Sequence, residues 1–180
     1  MKDKTLILRF TIFSIIFTTI LGVILHFTYE WSNGNLIIAS FSAVNESTWE
    51  HLKLLFFPML ITTIIGYFFI GKNNSSFLCA RALGILTAIL FTIIFFYTYT
   101  GVLGINIDIL NIASFFIAVF LGEYVSYKVL LSYFSCDKFA SIVLLVALFF
   151  YFVFFTYNPP KIGLFKDPLT NKYGIIDSNF

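Results

Sequence analysis

Residues 54–70, which read LLFFPMLITTIIGYFFI, decide the fold class. They hold no charged side chain, and their only polar side chains are two threonines and one tyrosine. With the residues from 49 onward, the stretch reaches the length of about 20 residues that a helix needs to cross about 30 Å of hydrocarbon. Lipid cannot satisfy exposed backbone groups, and the alternating pattern of a membrane barrel is missing, so the stretch predicts a transmembrane helix.

The composition of the whole chain agrees with this prediction. Hydrophobic residues make up 59% of the 180 residues and charged residues 11%, and the mean hydropathy is +0.95. A soluble domain has about 45–50% apolar and about 25% charged residues, so this chain has too little charge to cover a water-facing surface. An ordinary soluble enzyme and a disordered chain are therefore excluded. A net charge of +2 with scattered basic residues also argues against a nucleic-acid partner.

The charge-poor runs predict five spans, at residues 6–29, 49–70, 79–99, 107–131 and 139–157. The whole chain, residues 1–180, is then one all-α, polytopic membrane bundle with an outer loop at 30–48 and an outer tail at 158–180. Its predicted location is the cell membrane, with several passes and the lipid bilayer as its main partner. Membrane-protein subunits or a second copy of the chain are further candidate partners.

The basic residues predict the orientation, because cytoplasmic loops carry an excess of Lys and Arg. With the N-terminus inside, the inner segments hold Lys2, Lys4, Arg9, Lys72, Arg81, Lys128 and Lys138. The outer segments hold fewer, namely Lys53, Lys161, Lys166 and Lys172. This distribution favours the N-terminus inside and the C-terminus outside. Cys79 and Cys136 then lie near the inner side, where a reducing cytoplasm disfavours a disulfide.

Polar side chains gather at the predicted outer ends of the first two spans. Both histidines of the chain lie there, with three glutamates, one asparagine and one lysine. An ionisable side chain at membrane depth is costly and is therefore a functional candidate. With Trp49 from the same segment, these residues form the predicted ligand-binding set: His26, Glu30, Asn45, Glu46, Trp49, Glu50, His51 and Lys53.

A divalent metal is the cofactor that this set suggests. Neutral imidazole and carboxylate suit zinc, iron or manganese. His26 and Glu30 share a helix face at a spacing of four residues, and the predicted metal ligands are His26, Glu30, Glu50 and His51. A glutamate left over could act as general base toward a metal-bound water. The chain has no H-E-x-x-H zinc-protease signature.

Helix capping is the alternative explanation of the same residues. Asn45 can act as an N-cap, and Ser47-Thr48-Trp49-Glu50 matches a capping box. Glu50 and Lys53 have the spacing of an i,i+3 ion pair. In that case the outer polar set only stabilises helix ends and holds the bundle together.

Glu123 is a further candidate because it lies inside the fourth predicted span. One hypothesis is a buried ion pair with Arg81 that orders the bundle. A second is a relay for protons or cations that continues a path inward from the outer polar set, and a third is a side chain that reaches toward the membrane surface without a partner. Apolar residues in the tail after Pro159 and Pro160 predict either a fold back over the outer face or an interfacial segment on lipid headgroups.

The segment Val44-Asn-Glu-Ser-Thr-Trp-Glu-His51 and the tail around Phe165-Lys-Asp-Pro168 resemble a bacterial integral-membrane family known only as a domain of unknown function. The run Asn-Glu-Ser-x-Trp-Glu-His is the most specific part of this resemblance. The resemblance implies a membrane protein and no particular activity.

Three functions are consistent with these patterns. The favoured one is binding or transport of a small solute or cation through the outward-facing polar set. A metal-dependent, membrane-embedded hydrolase with His26, Glu30, Glu50 and His51 around the metal is the second. The third is a structural or assembly protein. Binding or transport is favoured over catalysis.

Overall fold

The computed structural model describes residues 3–134 and 136–176, so Lys2 and the last four residues of the predicted tail lie outside the described residues. The α-helices are α1 (Lys4–Trp31), α2 (Leu36–Ala39), α3 (Thr48–Phe69), α4 (Phe77–Leu103), α5 (Asp108–Leu131) and α6 (Lys138–Tyr157). Short 3-10 turns follow at Gly71–Asn73 and Gly163–Phe165. Within the described ranges there is no β-strand, and one isolated antiparallel bridge joins Lys166 and Tyr173.

Helices α1, α3, α4, α5 and α6 are each long and apolar enough to cross a membrane. The prediction of an all-helical membrane bundle with five spans is therefore confirmed. The orientation of the two ends across the membrane stays a prediction. Polar side chains mark several helix starts, because they accept hydrogen bonds from backbone N–H groups that have no partner within the helix. Asp3 caps α1 in this way, Ser47 caps α3 and Asp137 caps α6.

A buried ion pair lies at the centre of the bundle. The guanidinium of Arg81 on α4 binds the carboxylate of Glu123 on α5 in a two-pronged arrangement, with Nη1–Oε2 at 2.6 Å and Nη2–Oε1 at 2.9 Å. Both residues have a relative exposure of 0%. A pair so far from water is tolerated only when the remaining donors and acceptors are also satisfied.

Helices α1 and α3 supply those remaining partners. Ser14 on α1 donates its hydroxyl to Glu123 Oε1 at 2.7 Å. On α3, the hydroxyls of Thr62 and Thr63 accept from Arg81 Nη2 at 2.9 Å and from Arg81 Nε at 3.0 Å. One polar network therefore fixes four helices relative to one another, and Glu123 is the acceptor at its centre.

The backbones of α4 and α5 approach closely beside this pair. A Cβ atom added to Gly84 would lie 2.5 Å from the carbonyl oxygen of Gly122, and one added to Gly122 would lie 2.6 Å from that of Gly84. Only glycine leaves room for such a contact between two carbonyl-bearing backbones. Gly84 lies three residues after Arg81 and Gly122 precedes Glu123, so the glycine contact brings the two charged side chains within reach.

The two cysteines differ from the prediction. Cys79, in the first turn of α4, forms a disulfide with Cys136 in the α5–α6 connection, and their Cα atoms lie 5.5 Å apart. The expectation that this disulfide is disfavoured was therefore wrong. Sequence reasoning used the compartment alone, whereas the packing of α4 against α5 places the two cysteines at a separation that a disulfide can bridge.

We predict that Arg81→Met lowers the free energy of unfolding by about 3–5 kcal/mol, because it leaves the Glu123 carboxylate buried without its partner. The measurement is unfolding of the purified protein in mixed detergent micelles. Arg9→Met is the matched control, since Arg9 is exposed on α1. Equal stabilities for the two variants would contradict this account of the network.

Candidate functional site

Three side chains with metal-binding atoms meet near the end of α1 and the start of α3. His26 lies on α1, His51 on α3 and Glu46 in the loop before α3. The two Nε2 atoms lie 3.3 Å apart, His51 Nε2 lies 3.4 Å from Glu46 Oε2, and His26 Nε2 lies 3.9 Å from Glu46 Oε1. We call His26, Glu46 and His51 the His–Glu–His cluster. All three of its ligand atoms lie within 4.8 Å of one another.

The backbone of α3 fixes the His51 ring. Its Nδ1 lies 2.9 Å from the carbonyl oxygen of Ser47, one helical turn earlier. A carbonyl oxygen only accepts, so Nδ1 carries the hydrogen. In the neutral ring, Nε2 then keeps its lone pair, and this lone pair is directed at the other members of the cluster. Metal-binding histidines commonly have their second nitrogen held by a carbonyl or carboxylate in this way.

The carboxylate of Glu46 is held beside the two imidazoles. The pKa of Glu46 lies below its ordinary value, chiefly because His51, when its ring is protonated, donates its Nε2–H to the carboxylate. The positive charge that His51 and His26 can carry acts in the same direction, and partial burial acts against it. Glu46 is therefore ionised at neutral pH, which is the form that binds a metal ion.

The backbone before α3 also determines where Glu46 lies. The Asn45 side chain accepts from the Ser47 N–H at 2.8 Å and donates to the carbonyl of Gly174 at 2.8 Å. Ser47, not Asn45, is the N-cap of α3, and its hydroxyl accepts from the Glu50 N–H at 3.4 Å. Glu46 takes no part in this cap, so capping does not explain why its carboxylate faces the histidines.

A cavity of about 630 Å³ adjoins the cluster, and all three cluster residues line it. Its apolar walls come from α1, α3, α4 and α5, and Pro168 and Leu169 of the tail also line it. Near the start of α5, polar groups contribute to the lining: Asn106, Asp108 and Asn111. The Tyr99 hydroxyl accepts from the Ile107 N–H at 3.3 Å and lies 2.8 Å from Asn106 Oδ1, which fixes this polar side.

The other predicted ligands lie in different surroundings. Glu30 lines an adjacent recess of about 310 Å³ together with His26, Asn45 and Glu46, but its carboxylate lies outside the cluster. Trp49 packs between Phe152 of α6 and Phe165 of the tail, with ring centroids 4.6 Å apart in both cases. Trp49 therefore anchors the tail to α3 and α6.

Glu50 and Lys53 form a second buried ion pair, with Nζ–Oε2 at 2.5 Å. Lys53 also donates to the Ala39 carbonyl and to the Thr156 hydroxyl, both at 2.8 Å. Glu50 Oε2 accepts from the Val44 N–H at 3.1 Å. These bonds engage both side chains and hold the α1–α3 connection against α3 and α6. Glu123, the last predicted ligand, is engaged by Arg81 in the central network.

The sequence pattern predicts both histidines as metal ligands and Glu46 only as a ligand-binding residue. The missing signal was the turn at Asn45 to Ser47, which directs Glu46 toward His51 while Glu50 points to Lys53. Asn106 and Asn111 were missed because no spacing in the sequence links the start of α5 to α1. Asp108 is not among the predicted site residues.

The fold and the site define a class: a multi-pass, all-helical membrane protein with a histidine–carboxylate cluster at the mouth of a cavity between its helices. Within that class, the chain belongs to DUF6512, a family of unknown function, whose model matches residues 1–175. The predicted membership of a family of unknown function is thereby confirmed. No curated protein and no solved structure matches the chain.

We predict that Lys53→Met destabilises the protein by about 3–5 kcal/mol, because it leaves the Glu50 carboxylate uncompensated in the interior. Unfolding in mixed micelles measures this change. Lys72→Met removes an exposed lysine and is expected to leave stability within about 0.5 kcal/mol of the wild type. If Lys53→Met is as stable as Lys72→Met, the structural role of the Glu50–Lys53 pair is wrong.

Proposed function

We propose that this protein binds one divalent transition-metal ion, with zinc as the best match, through His26 Nε2, His51 Nε2 and the Glu46 carboxylate. The observation that carries the proposal is the spacing of these three atoms. In a tetrahedral zinc site with bonds of about 2.0–2.1 Å, two ligand atoms lie about 3.3–3.4 Å apart. Two of the three separations in the cluster, 3.3 and 3.4 Å, match this value, and the third is 3.9 Å.

The chemistry of the ligands supports the same ion. Two imidazoles and one carboxylate suit zinc, iron or copper better than magnesium or calcium, which prefer oxygen ligands alone. The Ser47 carbonyl, which holds Nδ1 of His51, supplies the outer-shell support that such sites require. Helix capping does not compete for these atoms, because Ser47 alone caps α3.

Cation binding is favoured over transport through the bundle. The proposed inward path ran through Glu123, but both of its carboxylate oxygens accept hydrogen bonds from Arg81, and Oε1 also accepts from Ser14. A cation passing this point would have to displace the guanidinium that fixes four helices. The Arg81–Glu123 pair therefore supports a closed inner half and a binding site confined to one end.

A metal-dependent hydrolase is the second candidate. Three protein ligands leave the fourth position of a tetrahedral zinc ion open, as in catalytic zinc sites, and a water bound there would be activated. The 630 Å³ cavity beside the cluster is large enough for a substrate. Cation binding ranks first, because it needs fewer functional groups than a hydrolase does. If no metal binds, a structural or assembly role is the remaining candidate.

We predict that the purified, chelator-stripped protein binds one zinc ion, measured by calorimetry and by metal analysis. His26→Ala, His51→Ala and Glu46→Gln are each expected to weaken binding by about 100-fold or more, since each removes one of three ligands. Glu30→Gln is the matched control, because Glu30 lines the neighbouring recess without joining the cluster.

Binding in the wild type that is no tighter than in His51→Ala would overturn the proposed function. An equal loss in Glu30→Gln and Glu46→Gln would also count against this ligand set, because it would make Glu30 a ligand as well as Glu46.

The proposed setting is the cell membrane of a bacterium, with the cluster on the outer side. The excess of Lys and Arg on the opposite side supports this orientation. The Cys79–Cys136 disulfide lies at that opposite end, however, and disulfides persist in oxidising compartments. The cysteine pairing thus favours the reverse orientation, and we give the charge distribution the greater weight.

We predict that a membrane-impermeant maleimide added to intact bacterial cells labels Leu169→Cys and leaves Tyr133→Cys unlabelled, both in a chain with Cys79→Ser and Cys136→Ser. Both positions are well exposed, and they lie in the tail and in the α5–α6 connection. Lysed cells give the control, in which both cysteines react. Labelling of Tyr133→Cys alone in intact cells would reverse the orientation.

A further inference from the structure

We infer that the cavity beside the His–Glu–His cluster binds an amphiphile that enters from the bilayer, with a single apolar chain in the cavity and an anionic oxygen headgroup on the bound metal. This inference rests on the proposed function for the headgroup only. The position of the chain follows from the walls of the cavity, which are the same with or without a metal.

The floor of the cavity lies where α1 and α5 touch. A Cβ atom added to Gly22 would lie 2.6 Å from the Phe115 ring and 2.6 Å from the Leu54 carbonyl oxygen. Nearer the centre, Ser14 and Glu123 join the same two helices through a hydrogen bond of 2.7 Å. The cavity extends from the Gly22 contact toward His26, so it has a closed inner end and a polar outer end.

The side of the cavity is open to lipid. Val23 on α1 and Ile112 on α5 both line it and are 44% and 60% exposed. Phe27 and Phe116, on the same two helices, line it and are exposed as well. All four lie on helices that are apolar and long enough to cross the membrane. A gap between α1 and α5 therefore connects the cavity with the hydrocarbon of the bilayer.

The tail closes the cavity at its polar end. Pro168 and Leu169 line it from above. Asp167 fixes their turn, because its carboxylate accepts from the Leu169 N–H at 3.0 Å and from the Thr170 hydroxyl at 2.6 Å. Asn45, next to Glu46, donates to the Gly174 carbonyl, so the tail is joined to the loop that carries the cluster.

The ligand class follows from these two ends. The apolar walls and the lipid-facing gap select an alkyl chain that is already in the membrane. A metal ion held by two imidazoles and one carboxylate keeps a net positive charge and an open position, and an anionic oxygen fits that position. Among the described residues that line the cavity, two carry a carboxylate, namely Glu46 and Asp108. Asp108 is exposed and lies at the polar rim. A long-chain carboxylate is the simplest molecule with both features.

The test uses the full-length, zinc-loaded protein in lipid nanodiscs with a diazirine-bearing palmitic acid, followed by mapping of the labelled peptides. We expect labelling of the cavity walls, reduced about tenfold in Ile112→Trp, because a bulky ring overfills the space for the chain. Ile109→Trp is the matched control, since Ile109 is exposed on the same helix and does not line the cavity. Equal labelling in the two tryptophan variants overturns the position of the chain.

A second arm tests the headgroup and separates this inference from the proposed function. Zinc binding is expected to be unchanged in Ile112→Trp, whereas chelation or His51→Ala is expected to lower labelling by palmitic acid but not by the matching alcohol probe. If acid and alcohol respond equally to chelation, the headgroup does not bind the metal. If the wild type binds no zinc but Ile112→Trp still reduces labelling, the proposed function fails while the chain site stands.

Discussion

The ion pair between Arg81 and Glu123 is the interaction on which the rest of the structure depends. Two opposite charges buried in a membrane bundle are stable only when every donor and acceptor finds a partner. The pair and its partners come from four different helices, so the pair is satisfied in one arrangement of α1, α3, α4 and α5. The Gly84–Gly122 contact lets α4 and α5 approach closely enough, and the hydroxyls of Ser14, Thr62 and Thr63 complete the network.

The same network sets the position of the candidate site at a distance. Helices α1 and α3 run antiparallel, and three contacts mark their register. These contacts are Ser14–Thr62, Gly22–Leu54 and His26–His51. His26 follows Ser14 by twelve residues, or about 18 Å along a helix. The register fixed at the ion pair is therefore what brings the two histidines together. The Glu50–Lys53 pair holds the α1–α3 connection against α3. This position of the connection places Glu46 beside the histidines.

Composition alone was enough to predict the helices. The candidate site depends on loop geometry, which the sequence pattern does not show. Runs of apolar residues were enough to predict five spans, and a glutamate inside a span was enough to suggest Arg81 as its partner. The glutamate that faces the histidines could not be predicted in the same way from Glu30, Glu46 and Glu50. It depends on the turn at Asn45 and on Lys53, which forms an ion pair with Glu50. The cavity could not be predicted, since its walls come from four helices and the tail. The disulfide was missed because compartment, not distance, guided the expectation.

Zinc K-edge X-ray absorption on the protein loaded with one zinc ion shows which residues hold the metal. Binding by the His–Glu–His cluster predicts a first shell of nitrogen and oxygen atoms at about 2.0–2.1 Å with the outer-shell scattering of two imidazole rings. That scattering should be reduced to one ring in His26→Ala. A sulfur shell at about 2.3 Å would place the metal on the thiolates of Cys79 and Cys136, with their disulfide reduced. A shell of oxygen atoms without imidazole scattering would show that His26 and His51 do not hold the ion, and either result would contradict the account.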